Sequence, residues 1–230
     1  VATFISKNDK TGNMIQTWIL RSDIPPLAAI NSGEDISVCG SCPLRGFIDS
    51  KSGQSVNHDR GCYVTVRNAP RSIWEAYKRG NYPEYDAEQH AHLFKGRKLR
   101  LGAYGDPVAA PLRIWKPIMS IVSGRTGYTH QWRKRKFRPW ARYIMASTHT
   151  VEDNELAKSY GFRWFRSGRD GELPVKGEFV CPASEAQGKR LTCEECCACK
   201  GGKVGQVSVF IPAHGSLSVL SSFNRVVTAS

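Results

Sequence analysis

The most reactive side chains in this sequence are its eight cysteines, which fall into two groups along the chain. Each group contains a Cys-x-x-Cys step. In a chain without an export signal, such steps are more typical of thiolate metal ligands or redox pairs than of structural disulfides. We therefore expect metal binding. The first group is Cys39, Cys42 and Cys62, and the second group is Cys181, Cys193, Cys196, Cys197 and Cys199.

The second cysteine group contains enough sulfur to surround one tetrahedral ion. Cys181, Cys193, Cys196 and Cys199 are the predicted ligands, His214 can replace one of them, and Cys197 can be a spare thiol. Zinc is the expected metal, because it accepts both sulfur and imidazole and needs no redox chemistry. An iron–sulfur cluster, which would use the same thiolates, is the alternative. The predicted metal-binding segment spans residues 181–214.

The first cysteine group predicts a possible second metal site, in which Cys39, Cys42 and Cys62 are joined by His58. The alternative for Cys62 is a small buried hydrophobic residue at the start of a strand. The surrounding segment, residues 33–60, is polar, contains glycine and is long for a loop. We interpret it as a functional insertion rather than as part of the scaffold.

Asp106 stands out among the polar residues because of its position in the turn Gly102-Ala-Tyr-Gly-Asp-Pro107. This turn connects an apolar predicted strand to a predicted helix, and its two glycines let a ligand or another backbone approach closely. The alternative is that Asp106 only caps the helix, since Asp before Pro is a common start of a helix.

Short apolar or β-branched runs alternate with helix-like stretches, which predicts a parallel sheet. Eight strands in one domain over residues 1–230 suit an α/β fold, a compact and irregular (β/α)8 barrel of the TIM type. An open doubly wound sheet is the alternative. The predicted helices span residues 69–79, 108–122 and 151–160, with Gly161 as a helix stop. The predicted strands span residues 14–20, 62–66, 99–104, 127–131, 142–146, 162–166, 178–181 and 206–211.

Other polar residues lie on or directly after the predicted strands. In a parallel barrel the chemistry takes place where strands end, so these residues are candidates for contact with a substrate. They are Gln16 on the first strand, Thr129, His130 and Gln131 at the end of the fourth, Ser147 and His149 after the fifth, and His214 after the last.

The charge balance points to a polyanionic partner. The chain has 33 Lys and Arg against 20 Asp and Glu, a net charge of +13, so nucleic acid is the first expectation. No run approaches the roughly 18 apolar residues of a membrane span, and residues 1–10 lack the long apolar run of a signal peptide. We expect no membrane partner and a cytoplasmic protein.

A basic run follows the fourth predicted strand and is interleaved with Trp132, Phe137 and Trp140. Its cations can bind phosphates and its rings can stack on bases, at the same end of the sheet as Asp106. A merely solvated basic face is the alternative, although such faces usually alternate charges and no acid interrupts this run. The predicted nucleic-acid-binding residues are Arg125, Trp132, Arg133, Lys134, Arg135, Lys136 and Arg138.

Several short motifs together resemble one protein family. The motifs are Ser6-Lys7-Asn8, Lys10-Thr11-Gly12, Gly61-Cys62-Tyr63 after the first Cys-x-x-Cys, Leu101-Gly-x-x-Gly-Asp106, Tyr128-Thr129-His130-Gln131, Cys181-Pro182 and Ala213-His214-Gly215. Over roughly residues 6–215 the sequence resembles bacteriophage proteins related to DpdA. That family consists of deazaguanine DNA transglycosylases, which are similar to the tRNA-guanine transglycosylases.

The resemblance implies a TIM-like barrel, a structural zinc held by cysteines and a histidine, and an aspartate nucleophile. The implied reaction removes guanine from its deoxyribose in DNA and installs a 7-deazaguanine such as preQ0, without an energy cofactor. Asp106 would attack the anomeric carbon and form a covalent sugar ester. Tyr104 would stack on the base, His130 and Gln131 would read its amide edge, and Ser147 or Gln16 would add hydrogen bonds. For a phage-encoded chain, the location would be the host cytoplasm.

Two other functions stay open at this point. One is a binding protein in which metal-stabilised loops grip nucleic acid without any chemistry. The other is a metal-dependent hydrolase, which is less supported because cysteine ligands would leave no open position for water. The tRNA enzymes bind zinc through Cys-x-Cys-x-x-Cys and a distant His, so the order here leaves open which sulfurs bind. The first cysteine group has no counterpart in those enzymes, and RNA remains an alternative substrate.

Overall fold

The fold is α/β, built on an eight-stranded and mostly parallel sheet. The computed structural model describes residues 1–48, 55–56, 60–203 and 205–228. The strands are β1 (Ala2–Thr3), β2 (Ile15–Trp18), β3 (Phe47–Ile48), β4 (Ser55–Val56), β5 (Lys98–Tyr104), β6 (Gly124–Thr129), β7 (Met145–Thr148), β8 (Trp164–Gly168), β9 (Glu178–Val180) and β10 (Ser208–Pro212). The helices are α1 (Pro26–Ser32), α2 (Ile36–Cys39), α3 (Ala69–Lys78), α4 (Ala87–Phe94), α5 (Leu112–Ile121), α6 (Val151–Ser159), α7 (Cys193–Cys196) and α8 (Leu217–Thr228).

The strand order in the large sheet is β1-β2-β5-β6-β7-β8-β10-β9, and β3 and β4 form a separate antiparallel pair. Strands β2, β5, β6, β7 and β8 lie side by side in chain order, and β10 then lies between β8 and β9, with every one of these pairs parallel. A doubly wound sheet reverses direction part-way, and strands β2 to β8 show no such reversal. Within the described residues the ladders end at β1 on one side and β9 on the other.

Two apolar layers cover the faces of the sheet, because successive side chains of a strand point to opposite faces. On β7, Ala146 joins the layer that packs with Trp115 and Ile118 of α5. Its neighbour Met145 joins the other layer, together with Cys193 and Cys199 of the second cysteine group. The cysteine-rich segment is therefore part of the core.

The structure confirms most of the predicted elements and corrects one strand. Residues 62–66 do not form a strand, because Val66 packs with Ile30, Val38 and Tyr104 above the sheet instead of pairing along its backbone. The predicted helix over residues 108–122 is divided into a 3-10 turn, Pro107–Ala109, and α5, with Pro111 directly before α5. Helices α4 and α8 lie outside the predicted helices.

We call the edge of the sheet where the parallel strands end the carboxyl edge, and the opposite one the amino edge. Asp106, Thr129, His149 and His214 lie at or just beyond the carboxyl edge, since each ends or follows a strand. Among the described residues, none of the helices combines the length and apolar character required to cross a bilayer.

Candidate active site at the carboxyl edge of the sheet

Asp106 follows β5, and its position is fixed by a backbone hydrogen bond and by the glycine turn that precedes it. The Asp106 amide donates to the Val38 carbonyl at 2.7 Å, which ties the turn to α2. The turn needs glycine at two positions, because Gly102 and Gly105 have φ of +71° and +74°. A Cβ on Gly105 would lie 2.6 Å from the Ile19 carbonyl oxygen, so only glycine fits at this position.

The Asp106 carboxylate accepts three hydrogen bonds. Oδ1 accepts from the Val108 amide at 3.2 Å, and Oδ2 accepts from Thr129 Oγ1 at 2.9 Å and from the His130 amide at 3.0 Å. The residue is only 7% exposed. Burial raises the pKa of Asp106 to about 6, against the hydrogen bonds and the Lys134 charge, which favour the ionised form. At neutral pH it is a fixed, mostly ionised carboxylate with little water around it.

His130 and His149 form a buried pair next to Asp106. Their Nε2 atoms lie 3.2 Å apart and their rings are stacked with centroids 5.3 Å apart. Burial lowers the pKa of His130 to about 3 and that of His149 to about 4, so both rings are neutral. One Nε2 must then donate to the other. Phe223 of α8 covers His149 edge-on at 5.6 Å.

Gln131 connects β6 to the insertion. Its Nε2 donates to the Cys39 carbonyl at 3.2 Å, and its Oε1 accepts from Ser41 Oγ at 3.0 Å and Lys134 Nζ at 2.7 Å. Gly40 has φ of +59°, and a Cβ there would collide with the Gln131 amide. The predicted base-reading residue is thus next to the site, but its amide holds the insertion in place.

Tyr104 lies under the insertion rather than in an open pocket. It is 3% exposed, and its hydroxyl has no hydrogen-bond partner among the described residues. Burial raises the pKa of Tyr104, and Cys39, Arg60 and Asp35 are among its ionisable neighbours. Asp35 itself binds both Arg45 and Arg60. The first cysteine group, Tyr104 and Asp106 therefore share one region of the carboxyl edge.

Two other predicted substrate contacts have different outcomes. The predicted contact of Gln16 with the substrate of Asp106 is wrong, because Gln16 Nε2 donates to Thr11 Oγ1 at 3.1 Å and to the Met14 carbonyl at 3.3 Å, towards the amino edge. Ser147 lies on β7 two residues before His149, and it stays a predicted contact. Its carbonyl accepts the Trp132 indole N–H at 2.8 Å.

Two of the predicted nucleic-acid contacts are corrected by burial and position. Trp132 is fully buried in the core, so it cannot stack on a base. Arg125 lies at the amino end of β6, where its guanidinium binds the Tyr143 and Arg142 carbonyls at 3.1 and 3.2 Å. It therefore lies at the edge opposite Asp106.

The rest of the basic run is a surface of cations next to the site, and we call it the basic segment, residues 133–138. Arg133, Lys134, Arg135, Lys136 and Arg138 are exposed. Arg133 stacks on Trp132 with its guanidinium carbon 4.2 Å from the ring centroid and binds Asp153. Lys134 reaches Gln131, which places the start of the segment beside Asp106.

Most of the second cysteine group lies at the amino edge, whereas Cys181 directly follows β9. Cys193 donates its amide to the Lys10 carbonyl at 2.8 Å, and the Gly127 amide donates to the Cys199 carbonyl at 2.9 Å. A void of about 10 Å³, the size of one water, is lined by all five cysteines of this group. In the described part of the chain, no three His, Cys, Asp or Glu side chains are arranged to hold a metal ion.

The two predicted histidine ligands do not join these sulfurs. His214 lies beyond the carboxyl end of β10, where its ring stacks on Tyr63 at 5.2 Å and its Nδ1 is 3.1 Å from the Pro212 carbonyl. The prediction that it replaces a cysteine of the second group is wrong, because the chain places its ring on Tyr63 instead. His58 lies outside the described residues.

Thr129 and His149 are the site residues whose roles the sequence did not reveal. Their only signal in the sequence is a polar residue directly at the end of a predicted strand. This signal locates the residue in the fold but does not say which residue it contacts. The chain has no match among family models, curated proteins or solved structures. The function must therefore be inferred from the site.

Proposed function

We propose that this protein exchanges a base in DNA, with Asp106 as the nucleophile, guanine as the leaving base and a 7-deazaguanine of the preQ0 type as the incoming one. The observation that carries the proposal is the buried Asp106 carboxylate at the carboxyl edge of a parallel sheet, beside a cationic surface. We also propose that the sheet forms an irregular barrel. Its winding and the carboxyl-edge position of Asp106 support this.

The hydrogen bonds leave Asp106 one atom for attack. An ionised carboxylate has about four lone-pair positions, two on each oxygen. Oδ2 already accepts two hydrogen bonds, whereas Oδ1 accepts one. Oδ1 therefore keeps a free lone pair. We assign it the attack on the anomeric carbon as the glycosidic bond loosens, which forms the sugar ester and releases the base.

The environment of the carboxylate suits this reaction. A charge that is poorly solvated in the resting protein interacts more strongly with the positive centre of an oxocarbenium-like transition state. The raised pKa of Asp106 reports the same poor solvation. Because Asp106 is 7% exposed and its amide is bonded to the Val38 carbonyl, a sugar reaches Oδ1 only after neighbouring residues move, and we assign this movement to the segment around Cys39.

The substrate is assigned from charge and from base chemistry. The basic segment adjoins the site through Lys134, and its exposed cations match a phosphate backbone. A base inside a duplex must be flipped out before its sugar can be attacked, and the basic segment would hold the opened strand. His130, His149 and Ser147 are the remaining polar groups that would face the base.

We further propose that the second cysteine group holds one zinc ion with a structural role. Its donors are all thiols, which suit zinc, and all five of them line one small void. Cys181, Cys193, Cys196 and Cys199 would hold it. The ion would tie α7, already bonded to Lys10 and Thr11, to the end of β9.

The decisive test replaces Asp106 by Asn, which keeps the shape and the capping bond but removes the charge. The unmutated protein, incubated with guanine-containing DNA without an incoming base, should form a covalent protein–DNA adduct, seen by denaturing gel and mass spectrometry. The Asp106→Asn variant should bind DNA and form no adduct. Asp170→Asn, which changes an exposed carboxylate, is the matched control and should form it normally.

One observation favours the second function, a binding protein without chemistry. Asp106 Oδ1 caps the 3-10 turn Pro107–Ala109, and a buried capping residue needs no reaction to explain it. If the unmutated protein binds DNA but neither forms an adduct nor exchanges any deazaguanine offered, this function replaces base exchange. If Asp106→Asn exchanges bases at the normal rate, Asp106 is not the nucleophile.

A further inference from the structure

The first cysteine group converges at one buried point although its members come from two separate segments. Cys39 ends α2, Cys42 precedes the 3-10 helix Pro43–Arg45, and Cys62 comes from the far end of the insertion. Cys39 and Cys42 pack in one apolar cluster with Tyr104, and Cys42 and Cys62 pack in the adjoining cluster with Leu44. All three are free thiols. The chain thus brings three sulfur atoms together under the insertion.

Donors without acceptors surround these thiols. Tyr104 Oη, Arg60 Nη2 and Arg45 Nε are buried and have no hydrogen-bond partner among the described residues. Tyr104 packs with Cys39 and Cys42, and Arg60 lies two residues before Cys62 in the chain. A buried donor left unpaired costs about 1–3 kcal/mol. Three of them in one place indicate an absent acceptor of negative charge.

We propose that Cys39, Cys42 and Cys62 ligate an iron–sulfur cluster, whose sulfides accept the hydrogen bonds of Tyr104 and Arg60. Such a cluster is anionic once bound to thiolates, and hydrogen bonds to its sulfurs are a usual part of its binding site. Each thiol releases its proton as it binds iron. Three cysteines leave one iron of a four-iron cluster without a cysteine ligand.

A cluster fits this group better than a single ion does. The three thiols come from two adjoining apolar clusters, with Cys42 packed against both. In a cluster each thiolate binds a different iron, so the ligands stand farther apart than around one zinc. The unpaired hydrogen-bond donors also favour a cluster, because its sulfides can accept hydrogen bonds whereas a single zinc ion cannot.

The cluster would also control the cover of the candidate active site. The Val38 carbonyl accepts from the Asp106 amide at 2.7 Å, and the Cys39 carbonyl accepts from Gln131 at 3.2 Å. A metal centre bound to Cys39 therefore fixes the segment that is hydrogen-bonded to Asp106 and Gln131. The inference does not depend on base exchange, since its test measures metal and not activity.

The experiment reconstitutes the full chain anaerobically with ferric iron, sulfide and a thiol reductant. About four iron and four sulfide per chain are expected, with a broad visible absorption that bleaches with dithionite. The triple variant Cys39→Ser, Cys42→Ser, Cys62→Ser should lose this iron while circular dichroism stays unchanged. Cys197→Ser, a single half-buried thiol of the other group, is the matched control and should keep it.

Tyr104→Phe tests the site without removing a ligand. The variant should retain iron but have a lower reduction potential, because a hydrogen bond to the cluster is removed. Without iron it should be more stable to urea than the unmutated chain, since an unpaired buried hydroxyl is gone. The proposal is overturned by a reconstituted chain that binds only zinc. It is equally overturned if the triple variant keeps its iron while Cys193→Ser, Cys196→Ser loses it.

Discussion

Glu178→Gln should be one of the most destabilising single changes in this protein. The Glu178 side chain is fully buried and accepts five hydrogen bonds. Oε1 accepts from Asn154, Trp164 and Arg166 Nε at 2.8–2.9 Å, and Oε2 accepts from Arg166 Nη2 at 2.9 Å and the Val175 amide at 3.0 Å. The partner Arg166 is 1% exposed and lies over the Phe210 ring. The carboxylate thus neutralises and orients a buried cation.

The magnitude follows from the bonds that glutamine cannot make. With its amide oxygen in the place of Oε1, three bonds survive, but the amide nitrogen then faces two donors, Arg166 Nη2 and the Val175 amide. The variant loses one hydrogen bond to the charged Arg166 and one to the neutral Val175 amide, both in a buried environment. Together these losses lower the free energy of unfolding by about 3–4 kcal/mol. In a chain of this size, this lowers the melting temperature by about 6–16 °C.

Urea denaturation followed by circular dichroism measures the change in the free energy of unfolding. The control is Glu172→Gln, which removes the other carboxylate of Arg166, at 2.6 Å and 37% exposed, and should cost less than about 1 kcal/mol. Burial works to raise the pKa of Glu178, but the bonds from Arg166, Val175 and Trp164 hold it below its usual value. Its stabilising contribution is therefore present at neutral pH and fades on acidification. Equal stability of the two variants would refute the reasoning.

Three further predictions concern the sites. The pKa of Asp106 is raised to about 6 in the folded protein, so its ionisation lowers the free energy of unfolding as pH rises from about 4 to 6. Asp106→Asn lacks this ionisation, so between pH 4 and 7 its free energy of unfolding should increase by about 3 kcal/mol relative to that of the unmutated chain. Urea denaturation measures both free energies. Cys193→Ser should lose one equivalent of zinc and melt at a lower temperature, whereas Cys197→Ser should retain both, by elemental analysis and thermal melting. The log–log slope of DNA affinity against salt concentration should become shallower by roughly 0.9 for each DNA phosphate that the protein no longer neutralises. This change is expected when Arg135, Lys136 and Arg138 are neutralised but not in Arg125→Gln.

The sequence determined the class of the fold because short apolar or β-branched runs that alternate with helix-like stretches are typical of a parallel sheet. Residues 99–104 and 206–211 were predicted in this way and correspond to β5 and β10. It also determined that Asp106 follows a strand, because the Gly102 and Gly105 turn is a local property of the backbone. Residues 62–66 carry the same strand signal, but their apolar side chains pack onto α1 and α2 instead.

Only the tertiary structure decided which distant residues meet. The periods of strands and helices fix local geometry, whereas a contact between distant segments depends on how the chain crosses the sheet. His214 was predicted to join the second cysteine group, and the carboxyl end of β10 places it on Tyr63 instead. Trp132 looked like a stacking residue within a cationic run, but the 3-10 turn after β6 directs it into the core. The orphan hydroxyl of Tyr104 beside three thiols has no sequence signal, because an unpaired donor exists only once every neighbour is in place.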